Sequence, residues 1–164
     1  MKIDKSTFEQ HVRFFEHGAT IFESPRQVNL GNPQGDVTVV EFFDYNCGYC
    51  KRAMADKVTA ACGGSLSGKT VAVLGLTFKP NTDDMREAPS LVIVPALQAG
   101  GARVRAYDPQ GMTEACKQLP GLETAADPYS CVAGADAVVI LTEWDQFRAL
   151  DLARIKAALR SPIV

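Results

Sequence analysis

Apolar residues keep two different rhythms along this chain, and the switches between them mark its elements. Phe8, Val12 and Phe15 recur at helical spacing between Lys5 and His17, and Gly18 supplies a stop. A turn-rich stretch from Ser24-Pro25 to Gly35-Asp36 leads into Val37 to Phe43, nearly continuous in β-prone residues, as in a strand covered on both faces. Cys50, Ala53, Met54, Val58 and Ala61 then return to helical spacing, and Gly63-Gly64 ends that helix. Beyond it the pattern predicts a strand at Val71 to Gly75 and a helix from Ser90 to Ala99, with Pro89 in its first turn and Pro95 kinking its interior. A strand at Arg103 to Tyr107 follows, then helices at Met112 to Gln118 and Pro128 to Ala133. A strand at Ala137 to Leu141 and an amphipathic segment from Leu150 to Leu159 complete the pattern. Ser161-Pro162-Ile163-Val164 reads as the approach to another strand.

Strands that are apolar throughout, alternating with helices, specify an α/β fold with a parallel sheet and helices on both faces. Ligands of such sheets bind at the C-terminal ends of the strands. The loops of interest are therefore 77–87, 108–111 and 143–147.

Composition adds little beyond this. The 164 residues carry 17 basic and 19 acidic side chains, a balance that gives no electrostatic case for nucleic acid or an anionic membrane. No apolar run reaches membrane-spanning length, and the first ten residues lack the apolar core of a secretory signal, so the expected location is the cytoplasm. Five cysteines cannot all pair. Cys62, Cys116 and Cys131 read as small core or helix residues, and His11 and His17 lie too far from Cys47-x-x-Cys50 to support a metal site.

Gly63 to Thr70 matches the phosphate-loop pattern G-x-x-x-x-G-K-[ST] letter for letter. That motif works only when the loop leaves a strand and opens a helix, so that amides converge on one anion. Here a helix precedes the loop and a strand follows, so the stretch is read as a helix stop. Gly75 follows a strand, but no further glycines complete a dinucleotide fingerprint.

The loop from Leu74 to Ser90 offers Lys79, Arg86 and a helix start at the ligand-binding edge, a set suited to a diphosphate and equally to a solvated charged loop. The stretch LGLTFKPNTDDMREAPS is similar to the signature of the UDP-binding domain of the UDP-glucose/GDP-mannose dehydrogenase family. The likeness continues through GGARVRAYDPQ and GADAVVILTEWDQF and is nearest to the bacterial UDP-glucose 6-dehydrogenase branch. The resemblance implies a Rossmann-like sheet and a ligand that is UDP-glucose or UDP. It implies that Phe78 and Lys79 contact the UDP-sugar and that Arg86 contacts NAD in the assembled site. Trp144 and Asp145 match a family loop and are read as packing and capping residues, and Asp108-Pro109 as a turn. The family's glycine-rich NAD domain and its catalytic-cysteine motif are not found in the sequence, so no catalytic residue for dehydrogenation is assigned.

Residues 22–52, FESPRQVNLGNPQGDVTVVEFFDYNCGYCKR, resemble instead the start of a DsbA-like thiol-disulfide oxidoreductase of the thioredoxin superfamily. A strand leading to C-x-x-C at a helix N-terminus suits thiolate chemistry. The resemblance implies Cys47 as nucleophile, Cys50 as resolving thiol and Glu41 as buried proton relay. The chain thus reads as a chimera. Residues 1–53 form an incomplete thioredoxin-like segment, and residues 54–164 a UDP-binding domain that stops before the family's last strand, with one helix running through the join. An unpaired sheet edge would favour homo-oligomers.

Overall fold

The computed structural model describes residues 48–160 in backbone and 51–160 in side chains. The elements, in order, are α1 (Gly48–Ala61), β1 (Thr70–Leu74), α2 (Ser90–Ala99), β2 (Arg103–Tyr107), α3 (Met112–Gln118) and β3 (Glu123–Thr124). They continue with α4 (Pro128–Val132), β4 (Ala137–Ile140), α5 (Asp145–Arg148) and α6 (Leu152–Ala158). The strands form one parallel sheet in the order β3-β2-β1-β4, with Val71 opposite Val104 on one side and Ala137 on the other. Among the described residues β4 has a strand on one side only.

Period-2 geometry divides β1 between two cores. Val71 and Val73 face a cluster with Val58 of α1, Ile93 and Leu97 of α2 and Ala115 of α3, whereas Ala72 and Leu74 face Cys131 and Val132 of α4, Phe147 and Ile155. All five β1 residues are buried, which explains an apolar run without alternation. β2 alternates: Val104 and Ala106 enter the first cluster, while Arg105 reaches across to donate to the Ala133 carbonyl beyond α4 at 2.8 Å.

Three local features differ from the sequence expectation. Pro89 stands one residue before α2 rather than inside it, and its carbonyl accepts from Ile93 at 3.0 Å. The two-residue strand β3 is new; its Glu123 is clamped by Arg103 and Arg105. α5 is a four-residue turn of helix where a loop was expected. Pro95 lies inside α2 on an exposed position, and the helix continues past it to Ala99.

α1 runs without a break across Ala53 to Asp56. Lys51 is nine-tenths or more buried, and its Nζ donates to the carbonyl of Glu87 at 2.9 Å. Glu87 holds φ at +58°, a conformation that favours glycine. α1 is thereby tied to the far end of the loop that follows β1. No helix among the described residues is long and apolar enough to cross a membrane.

Candidate functional site

β1 is the pivot of the sheet. The chain leaves it toward β2 and later crosses back to β4 on its other side, so the topological switch point lies between β1 and β4. In a mononucleotide fold that crevice is where a ligand would enter. Here it is filled from within. Gly75, at φ +86°, packs so closely on the loop after β4 that a Cβ would stand 2.6 Å from Thr142 Cβ and 2.7 Å from its backbone nitrogen.

The two residues after Gly75 have all four of their backbone polar groups bonded to side chains. The amides of Leu76 and Thr77 donate to Asp108 Oδ2 at 2.7 and 3.2 Å. The Leu76 carbonyl accepts from Ser90 Oγ at the start of α2, and the Thr77 carbonyl accepts from Thr142 Oγ1 at 2.7 Å. Asp108 is the hub. Its Oδ2 also receives the Trp144 indole N–H at 3.2 Å and lies 3.2 Å from the Thr77 hydroxyl, while Oδ1 accepts the amides of Gln110 and Gly111 at 3.0 and 2.7 Å. At 2% exposure this carboxylate is satisfied by neutral dipoles from the loops after β1, β2 and β4.

That arrangement decides what the edge can bind. The first amides beyond β1, which a phosphate-binding turn would aim at its ligand, are already occupied by an internal anion. Anion-binding capacity must come from further along the loop. There, Phe78 N–H donates to the Asp84 carbonyl at 2.9 Å, closing a compact turn that carries Lys79 outward. Phe78 is half-buried against the first core cluster; Lys79 is exposed and makes no ion pair among the described residues.

Arg86 is also exposed, but it is engaged. Its Nε and Nη2 grip the Asp84 carboxylate at 2.9 and 2.7 Å, and its amide donates to the same group at 2.9 Å. The guanidinium hydrogen bonds hold the Asp84 carboxyl down at about 2. Near neutral pH, then, any anion that approaches Arg86 competes with Asp84. A depression of about 470 Å³ beside this pair is lined by residues 82–86 and by Glu114 and Gln118 of α3. With Asp83, Asp84 and Glu114 set against one arginine, it suits a diphosphate poorly.

The phosphate-loop lookalike lies at the opposite edge of the sheet. α1 precedes it and β1 follows, and its amides turn inward: Gly64 to the Thr59 carbonyl at 2.9 Å, Lys69 to that of Leu66 at 3.0 Å. Lys69 Nζ lies 3.7 Å from the buried carboxylate of Asp136, which also takes the Thr70 amide at 2.8 Å. Nothing in this loop converges on an anion.

Two of the three cysteines with described side chains are held back by burial. Burial pushes the Cys131 thiol up to about 12, and its Sγ lies 3.3 Å from the Arg105 carbonyl. Burial likewise raises Cys62. Alkylation of the folded chain near pH 8 should therefore label exposed Cys116 and spare Cys131 until the protein unfolds. Peptide mapping reads this directly, and early labelling of Cys131 would contradict it. Glu41 and Cys47 lie outside the described residues, and Cys50 is described only as a backbone position in the first turn of α1. No group of three or more His, Cys, Asp or Glu among the described residues is placed to hold a metal.

A parallel, doubly wound α/β domain with a charged loop, bearing Lys79 and Arg86, leaving β1 is the class of protein this geometry defines. Comparison with known families narrows it. Residues 72–164 match the family described as "UDP-glucose/GDP-mannose dehydrogenase family, UDP binding domain". The chain belongs to this family and contains its UDP-binding domain. It is 57% identical over 114 residues to a UDP-glucose 6-dehydrogenase of Rhizobium meliloti, covering 70% of this chain and 26% of that protein. It is 46% identical over 107 residues to a UDP-glucose 6-dehydrogenase of Pseudomonas aeruginosa, covering 62% and 24%. The structure of a UDP-glucose dehydrogenase from Pyrobaculum islandicum superposes with a TM-score of 0.61 at 36% identity, over 63% of this chain and 24% of that one. The chain thus spans about a quarter of the length of these relatives.

Phe78, Lys79 and Arg86, which the resemblance implies meet the ligands, all lie in the loop between β1 and α2. Asp108, expected as a turn residue, and Trp144, expected as a packing residue, are bonded to each other, which the sequence does not show.

Proposed function

We propose that the loop from Phe78 to Arg86 holds UDP-glucose, with Phe78 and Lys79 meeting the nucleotide sugar, as part of an enzyme that oxidises UDP-glucose with NAD. What supports this reading is Lys79, exposed and without an ion pair among the described residues, on a turn whose base is fully bonded. A turn already closed on its base leaves mainly the flexible lysine side chain to be ordered by a diphosphate. Arg86 is assigned to the cofactor side. A single exposed guanidinium already paired with Asp84 does not make a dinucleotide site, and among the described residues there is no glycine-rich turn of the right order. No hydride-transfer step is therefore assigned to them.

Calorimetric titration of the chain with UDP-glucose tests this. Loss of one charge-assisted contact, about 1.5–3 kcal/mol, should weaken binding of Lys79→Ala at least tenfold. Arg86→Ala should change the same titration far less. Equal affinity of wild type and Lys79→Ala would contradict the assignment.

A second reading keeps Cys47 and Cys50 as an exchanging pair with Glu41 as their proton relay. Its one support is that α1 opens at Gly48, which places Cys50 in the first turn of an uninterrupted helix. Insulin reduction by the chain, abolished in Cys47→Ser, would favour it over the nucleotide-sugar reading.

A further inference from the structure

We propose that Asp108 is a positioning residue for the nucleotide-sugar loop, acting through Thr77 to set where Lys79 presents its ammonium. The inference rests on the reading of that loop just given, but its physical basis is separate. Thr77 is fully buried, and each of its polar groups is committed: the amide to Asp108, the carbonyl to Thr142, and the hydroxyl to a choice between Asp108 Oδ2 at 3.2 Å and the Lys79 carbonyl at 3.1 Å. A hydroxyl has one proton, so the bond it gives to Lys79 depends on how well the other donors already satisfy Asp108 Oδ2. Those donors are the amides of Leu76 and Thr77 and the indole of Trp144. Three loops therefore share one carboxylate, and Lys79, two places on from Thr77, inherits its orientation.

The surroundings leave this junction no slack. A Cβ on Gly111 would stand 2.2 Å from the Thr77 Cγ2 methyl, so the Thr77 side chain is wedged between Asp108 and the turn after β2. Trp144, the one tryptophan in the chain, donates to the same carboxylate oxygen, Oδ2. The loop beyond Phe78 is closed by its own bond from Phe78 to Asp84 and stands on this base. A carboxylate that is buried and filled by internal donors contacts no ligand; its work is done through the threonine.

The test uses the full chain and three variants. Thr77→Val keeps the buried shape and removes the hydroxyl, Asp108→Asn keeps the side chain and gives up one acceptor, and Val132→Ala loosens the core on the other face of the sheet as a stability control. Amide hydrogen exchange is measured across residues 78–86, alongside calorimetric titration with UDP-glucose under conditions where every variant is folded. The proposal expects Thr77→Val and Asp108→Asn to accelerate exchange in 78–86 at least tenfold over Val132→Ala. It also expects them to weaken UDP-glucose at least tenfold while Val132→Ala binds as wild type does. Trp144 fluorescence should shift on ligand addition in wild type and lose that response in Thr77→Val. If loop exchange is the same in all three variants, the proposal is overturned, whatever the affinities. If the loop loosens as expected but even wild type binds no UDP-glucose, the positioning role stands and the assignment of the ligand falls.

Discussion

Asp108→Ala is expected to remove most of the folding stability of the domain. The carboxylate gathers five N–H donors and faces one hydroxyl, in a site that is 2% exposed. Leaving a buried donor without a partner costs about 1–3 kcal/mol. Water entering the space left by the side chain offsets part of this, so the net loss is estimated at about 5 kcal/mol, set against roughly 5–15 for a whole domain. At about 4 °C per kcal/mol for a unit of this size, the midpoint should fall by around 20 °C, or the cooperative transition should vanish. Asp108→Asn should fall between, because either amide orientation turns an NH2 toward N–H groups that need an acceptor. Thermal and urea unfolding both read this. An alanine variant within about 1 kcal/mol of wild type would show that Asp108 is no hub.

Gly75→Ala carries the second-largest effect. Two independent costs fall on one atom. The backbone sits at φ +86°, where an L side chain is strained by about 1–3 kcal/mol, and the new Cβ would meet the Thr142 backbone at 2.7 Å. Overpacking adds about 1–3 kcal/mol more, because the neighbour is a backbone atom that cannot rotate away. Gly63→Ala separates the two contributions. Its φ is +84°, yet nothing lies within 4 Å of the added atom, so only the strain should appear. A Gly75→Ala variant that loses no more stability than Gly63→Ala would mean that β1 and the loop after β4 can part without cost.

Much of this architecture was legible from patterning alone. The runs at 71–74, 103–107 and 137–140 could be read as strands because each is buried on at least one face and bounded by glycine or polar turns. β3 was not legible. Glu123 and Thr124 are polar, and their pairing with β2 comes with ion pairs from Arg103 and Arg105 to Glu123 that no local window shows. The refusal of the phosphate-loop pattern at Gly63 came from the order of elements, and element order is the part of a fold that periodicity specifies best.

Asp108 shows where local reading stops. Asp-Pro-Gln-Gly was read as a turn, and half of that is right: Oδ1 accepts from Gln110 and Gly111 as in any Asx turn. The other oxygen serves residues 31, 32 and 36 positions away, and no window along the chain contains both ends of those bonds. The cations at Lys79 and Arg86 were found by residue type and by resemblance. Their different states, Lys79 without an ion pair among the described residues and Arg86 held by Asp84, come from side-chain geometry that spacing does not encode.

The most direct test of the central claim is a UDP titration of the isotope-labelled chain followed by backbone amide resonances. Two loops here carry a lysine and a nucleotide-binding signature, and they lie at opposite ends of β1. Amides of residues 78–86 are expected to shift progressively, with the Trp144 indole following, while those of 63–70 stay fixed. Shifts confined to 63–70, or none in either loop at saturating UDP, would contradict the claim.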